Sequence, residues 1–229
     1  MKKGKLIVLD GTDGSGKATQ TKLLQARLKK EGYRVQTLDF PQYEKNFFGG
    51  LIGECLAGEH GDFVSIDPYI GSTLYAADRF ESKDKIMRWL KVGCVVVLDR
   101  YVSSNQIHQG GKITDAKKRK KFLEWLEKME YGVFGIPRPD GIIYLDVPVA
   151  LSQKLLASKG QKEKKTYLKK RKTDVVEGSQ KYLDDSRQSA LLLVKKQNRW
   201  LRVECAKKDE MLSREVVAEK VWDQVKKIL

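Results

Sequence analysis

Three glycines and a lysine carry the sharpest chemical signal in this chain. Gly11, Gly14 and Gly16 lead to Lys17 in the run Gly11-Thr12-Asp13-Gly14-Ser15-Gly16-Lys17-Ala18-Thr19. Glycine lets the backbone curl until successive N–H groups converge on one anion. A lysine on a flexible stem adds a full positive charge suited to outer phosphates. The spacing fits G-x-x-x-x-G-K, a phosphate-binding loop. The strict pattern continues with Ser or Thr, whose hydroxyl holds magnesium. Here Ala18 stands in that place and offers no oxygen, and Thr19 one step on points elsewhere. Either other groups hold the metal, or the loop binds its nucleotide without this ligand.

A second group of residues follows another apolar run. Cys94 to Leu98 (CVVVL) ends in Asp99-Arg100. An acid at a strand end is placed to hold magnesium, directly or through water. The planar guanidinium of Arg100 can clamp a further phosphate bidentately, or it can pair with Asp99.

These groups need elements to position them. Leu6 to Leu9 is a continuous apolar run, as a strand buried on both faces would be. Leu23, Leu24 and Leu28 then recur at helical spacing up to Gly32. Tyr33–Phe40 reads as a second strand closed by Pro41, and Phe47–Glu59 as a weaker helix. One long helix is expected from Pro68 to about Lys91, and another over Asp115–Tyr131. Gly141–Val147 and Trp200–Glu204 supply the fourth and fifth strands. Leu151–Ala157, Asp174–Gln197 and Ser213–Ile228 supply further helices, the last with Ser213 as N-cap. Strands alternating with helices predict an α/β fold: a five-stranded parallel sheet flanked by helices in three layers. Ligands of such sheets bind beyond the carboxyl ends of the strands.

With 229 residues, the chain suits one domain over 1–229. It has no apolar run of membrane-spanning length and begins without a signal-peptide pattern. Cys55, Cys94 and Cys205 lack zinc or redox spacing and read as free thiols of a reducing cytoplasm. The net charge of +15 points to polyanionic partners. Between Lys159 and Lys172 eight Lys or Arg face one Glu, a net of +7. Such a run traps phosphates locally, whereas a nucleic-acid binder more often spreads its cations along a face with aromatics between. Its self-repulsion predicts a basic lid at about 157–175 that stays mobile until phosphates arrive.

Read together, the motifs resemble the thymidylate kinase family. Asp99-Arg100-Tyr101-Val102-Ser103-Ser104-Asn105, with Gln109-Gly110-Gly111 behind, is similar to its DRY-x-x-S signature. Gly11 to Lys17, Phe40-Pro41, Tyr75-Ala76-Ala77-Asp78-Arg79 and Pro137-Arg138-Pro139-Asp140 resemble four further family segments. The resemblance runs from about residue 4 to the last helix. It implies phosphoryl transfer from ATP to dTMP, giving dTDP and ADP, with Mg2+.

Residue roles carry over by position. Gly11 to Thr19 bind ATP. Tyr75 resembles the aromatic stacked on thymine, Arg79 the donor to O4 and Asn105 the partner of N3. Arg100 and Tyr43 hold the monophosphate, with Phe40, Ser104, His108 and Gln109 around it. Asp13 and Asp99 stand near the metal. Members with Gly at the position of Gly14 carry their catalytic cations on the lid, and Arg171 is the strongest choice there. Asp174 and Glu177 match the D-x-x-E at the lid's end, or simply complement a helix N-terminus. His108 stands where some relatives place a Tyr that crowds the ribose 2′-hydroxyl. The family implies a homodimer through helices that include the one after Pro68, and neither a membrane nor a specific nucleic acid as partner. Open alternatives are a kinase of dUMP, UMP or CMP, a nucleic-acid binder on the same fold, or a kinase inactive through Ala18.

Overall fold

The computed structural model describes residues 3–63, 65–160 and 180–229. From residue 161 onward the expected lid, with Arg171, Asp174 and Glu177, lies outside the described residues.

Five parallel strands form the central sheet: β1 (Lys5–Asp10), β2 (Val35–Asp39), β3 (Val95–Asp99), β4 (Gly141–Asp146) and β5 (Trp200–Glu204). Their order across the sheet is β2-β3-β1-β4-β5. Alternate strand residues face opposite layers, and the core divides accordingly. Leu6 and Val8 of β1, Val96 and Leu98 of β3 and Ile142 and Tyr144 of β4 join one cluster. Ile7 and Leu9, Val95 and Val97, and Ile143 and Leu145 join the other. The first layer is covered by α4 (Lys83–Lys91), α5 (Val102–Gly111), α6 (Ala116–Glu127) and α8 (Gln180–Lys196), through Ile86, Ile107, Phe122, Leu126 and Leu193. The second is covered by α1 (Lys17–Lys30) and α9 (Arg214–Val225), through Leu24, Leu28, Val217, Val221 and Val225. The three-layer expectation holds.

Every strand of this sheet closes on an acid: Asp10, Asp39, Asp99, Asp146 and Glu204 end β1 to β5 in turn. The parallel register sets Asp39 beside Asp99 and Asp146 beside Glu204. A row of carboxylates therefore marks the edge where the ligand crevice of a parallel sheet lies.

Several expectations need correction. The single helix from Pro68 to Lys91 is two, α3 (Pro68–Glu81) and α4, broken at Ser82. Apolar spacing continued through the break, and Ser82 is a poor helix interior residue that favours such junctions. The helix over Asp115–Tyr131 stops being regular at Glu127 and continues as a π-helical turn, Lys128–Val133. The segment Val102–Gly111, unassigned from sequence, is α5, and Ala206–Lys207 with Glu210–Met211 form a small hairpin, β6–β7. The helix α2 (Phe47–Leu56) stops short of Glu59, and α7 (Val149–Gly160) begins two residues earlier than expected. Ser213 caps α9 as expected, accepting from the Val216 N–H.

Candidate active site

The loop between β1 and α1 makes the floor of the site. Gly11, Gly14 and Gly16 all have positive φ. At Gly14 (φ +80°) a Cβ would sit against the Ser152 carbonyl oxygen of α7. Only glycine fits there, so the loop presses directly on α7. Lys17 is buried, and its Nζ donates to the Gly11 and Thr12 carbonyls, each at 2.9 Å. Burial and then Arg100 pull its ammonium below the usual lysine range, while Asp13, Asp99 and Asp10 oppose the shift. The hydroxyls of Thr12 and Ser15 are buried without a hydrogen-bond partner among the described residues. Ala18 is exposed.

Asp10 anchors the loop to α5. Its carboxylate accepts from the Gly11 N–H at 2.8 Å and from the hydroxyls of Ser103 and Ser104. Ser104, expected at the acceptor, thus holds Asp10. Arg100 follows β3 with φ +67°, a left-handed conformation unusual for arginine, and its N–H donates to the Leu9 carbonyl at 3.0 Å. This turn sends its guanidinium to Asp13 by an ion pair and to His108 Nε2 at 3.3 Å. Asp13 and neighbouring carboxylates raise Arg100 further above its ordinary range in spite of burial. An arginine only donates, so His108 Nε2 is the acceptor and its proton sits on Nδ1, 3.1 Å from Ser186 Oγ. The imidazole also stacks on Tyr182 of α8, with centroids 5.7 Å apart. Burial, then Arg100, lower the His108 pKa to about 4.

Asp99 accepts no side-chain hydrogen bond among the described residues. Burial lifts its carboxyl above the ordinary range, while Lys17 and Arg100 pull it back. Among the described residues no three His, Cys, Asp or Glu side chains form a protein-only metal cage. Kinase magnesium needs none, being held by one or two carboxylates together with phosphates and water. Asp99, desolvated beside two cations, fits that role, with Asp13 3.8 Å from Lys17 on the other side.

A second group lines the space beneath α3. Arg79 and Asn105 are buried and meet at Glu130 of the π-helical turn. Gln109 is buried with Oε1 unpartnered among the described residues. Tyr75 is half-buried against Phe63, centroids 6.0 Å apart, and Tyr43 packs in the same small cluster. Phe40 lies in the core against Tyr101, so it serves the site through the turn it begins. The loop after it is pinned to α3: the Gln42 N–H donates to Asp78, and Asn46 Nδ2 donates to Asp78 Oδ1 at 2.8 Å.

α5 links the two groups: Ser103 and Ser104 in its first turn hold Asp10 of the phosphate loop, His108 meets Arg100, and Asn105 meets Glu130 beside Arg79. The sequence profile described as "Thymidylate kinase" matches residues 9–216. The chain belongs to the thymidylate kinase family. Thymidylate kinase from Mycobacterium tuberculosis is 32% identical over 158 residues, 69% of this chain and 73% of that protein. A probable thymidylate kinase from Pyrococcus abyssi is 38% identical over 160 residues, 69% of this chain and 72% of its own. The solved thymidylate kinase of Candida albicans shares the fold, with a TM-score of 0.72 at 21% identity over 98% of this chain and 92% of that one. As a thymidylate kinase, the protein is an ATP-dependent phosphotransferase that converts dTMP to dTDP. Among the described residues no helix is long and apolar enough to cross a membrane.

Sequence reasoning missed Asp10 and Glu130 in this thymidylate kinase. Each left a trace. Asp10 directly precedes Gly11 at the end of an apolar strand. Glu130 falls four residues after Leu126 and eight after Phe122, on the buried stripe of its helix. A carboxylate in an apolar stripe needs a partner.

Proposed function

We propose that the crevice at the carboxyl edge of the sheet carries out this transfer with the following division of labour. The main-chain amides of Gly11 to Thr19 and the Lys17 ammonium hold the donor phosphates. Arg100 takes the acceptor phosphate, with Tyr43 beside it. Tyr75 packs on the base, Arg79 donates to O4 and Asn105 pairs with N3, while His108 and Gln109 border the sugar and phosphate. The observation that carries the reading is the cation pair Lys17–Arg100 at the ends of β1 and β3, Lys17 buried and Arg100 partly exposed, with Asp13 between them.

The chemistry needs no strong base. The acceptor monophosphate has a second pKa near ~6 and is largely ionised at neutral pH. One of its oxygens attacks the γ-phosphorus, and the bond to the β-γ bridging oxygen breaks, leaving ADP. The obstacle is repulsion between two anions, so catalysis is alignment and charge neutralisation. Lys17 and Arg100 supply fixed charge from either side. Asp99 and Asp13 would hold Mg2+, which neutralises β and γ oxygens when bound. We assign the remaining catalytic cation to Arg171 of the basic segment, in keeping with Gly14 in the loop. The fitted contact of Gly14 with Ser152 supports this assignment, since no arginine can stand there.

We further propose a homodimer. α3 presents Ile70 (57% exposed) and Phe80 (48%), and Val133 (72%) follows in the π-helical turn. These exposed apolar side chains would supply the contact in such a dimer. Assays of ADP release on dTMP, dUMP, UMP and dCMP, with and without magnesium, test the catalytic reading. Highest kcat/KM on dTMP, lost on chelation, is the expected result; highest activity on dCMP, or turnover indifferent to magnesium, overturns it.

A further inference from the structure

Two of the groups proposed to read the base share one buried anchor. Glu130 is 0% exposed. Its carboxylate accepts from Arg79 Nε at 2.7 Å and Nη2 at 2.6 Å, and from Asn105 Nδ2 at 3.3 Å. The Asn105 Nδ2 group also donates to the Ser72 carbonyl at 3.1 Å. Both partners of that amide nitrogen are oxygens that only accept in this setting: a main-chain carbonyl, and a carboxylate already held by a guanidinium. A flipped amide would set Oδ1 against two acceptors in a buried site, which is costly. Nδ2 is therefore fixed inward. Oδ1 carries no hydrogen bond among the described residues and is the end left for a ligand. Arg79 is fixed the same way: Nε and Nη2 are taken, and Nη1 has no hydrogen bond among the described residues.

We infer that Glu130 sets the donor–acceptor polarity of the base pocket, selecting a pyrimidine with N3–H and a 4-oxo group over one with a bare N3 and a 4-amino group. The inference rests on the assignment of Arg79 and Asn105 to the base. Thymine and uracil give their N3–H to Asn105 Oδ1 and take a proton from Arg79 Nη1 at O4. Cytosine reverses both: its N3 lone pair meets Oδ1, and its amino group meets a guanidinium N–H. A site built to pair with polar groups rejects a ligand that leaves them unpaired far more strongly than it rejects a change in size.

The role calls for a carboxylate. A glutamine at 130 carries its own donor and acceptor, so Asn105 could turn over and one Arg79 N–H would lose its partner. The π-helical turn supplies the position. Glu130 continues the inward stripe of Phe122 and Leu126, and its carbonyl accepts from the Ile136 N–H at 3.2 Å, which ties the turn to the loop before β4. Glu130 is a positioning residue, acting on the base through Arg79 and Asn105.

The test is steady-state kcat/KM for dTMP and dCMP in the wild type and in Glu130→Gln. The wild type should favour dTMP, and Glu130→Gln should lower the dTMP:dCMP ratio by about tenfold or more, chiefly through a raised KM for dTMP. Equal losses on both substrates, with the ratio held within about twofold, would make Glu130 merely structural and overturn the inference. A wild type that does not favour dTMP would instead remove Arg79 and Asn105 as base readers; that failure shows without any substitution. Removing the charge under Arg79 can unfold the protein. A wild-type measurement therefore stands beside it: 15N NMR of the Asn105 side-chain amide, assigned by its loss in Asn105→Ser. Slow solvent exchange in the free protein, retained when dTMP binds, supports a fixed Nδ2. Exchange as fast as that of a surface asparagine overturns it.

Discussion

Lys17 donates to two main-chain carbonyls before any phosphate arrives, so its charge is already positioned and needs no reorganisation during reaction. Lys17→Met keeps the stem and removes the charge. kcat should fall by about 10²–10³ with a smaller change in KM for dTMP, read by ADP release. His108 makes the second prediction at this scale. Its folded pKa of about 4 lies below the ordinary 6.5, so between these values the unfolded chain binds the extra proton. That contribution to stability is whole above pH 6.5 and is lost as pH falls towards 4, by about 3 kcal/mol at most. Denaturant titrations from pH 7 to 4 should show a shallower acid loss in His108→Gln. Equal slopes in the two proteins would remove His108 as the group responsible. Residues within one local motif, such as Lys17, Asp99 and Arg100, were legible because spacing along the chain fixes their geometry. Asp10 and Glu130 were not, because their partners lie 93 and 51 residues away in sequence.

At the scale of elements, α3 organises its neighbours through the acids on its last two turns. Glu81 Oε2 accepts from the Phe47 N–H at 2.9 Å and Oε1 from the Phe48 N–H at 2.8 Å, so it caps α2 from another helix. Asn46, the residue at the cap position itself, makes no capping bond and reaches Asp78 instead. Glu81→Ala should cost about 1 kcal/mol in urea unfolding, as the loss of a cap does. It should also raise KM for dTMP, since α2 follows directly on the Tyr43 loop. Unchanged stability would assign the cap to solvent. None of this was legible in advance, because the capping acid is distant in sequence and the run from Pro68 to Lys91 keeps helical spacing through Ser82. Strands fared better. β5 matches its expected bounds and the others shift by one or two residues, because continuous apolar runs between turns define buried strands well.

On the scale of the whole molecule, the proposed homodimer would place the exposed apolar residues Ile70 and Phe80 of α3 at its contact. Sedimentation should give a dimer, and Ile70→Glu with Phe80→Glu should give a monomer, since burying two carboxylates unpaired is prohibitive. A wild-type monomer at tens of micromolar would remove the interface. The +15 net charge gave no view of the carboxyl edge of the sheet, which is acidic along its length. Composition averages over the surface, whereas strand polarity gathers these five acids at one edge.

That acidic edge has a consequence for how phosphates enter. Arg100 already faces Asp13, and Lys17 lies in the field of Asp13, Asp99 and Asp10. Each carboxylate is a tethered competitor at high effective concentration. An arriving phosphate must trade places with it rather than fill an open positive well. A nucleotide manages the exchange with several phosphate oxygens and a base acting together. A lone orthophosphate ion brings one group and no base, so inorganic phosphate should compete with nucleotides only weakly in the ADP-release assay.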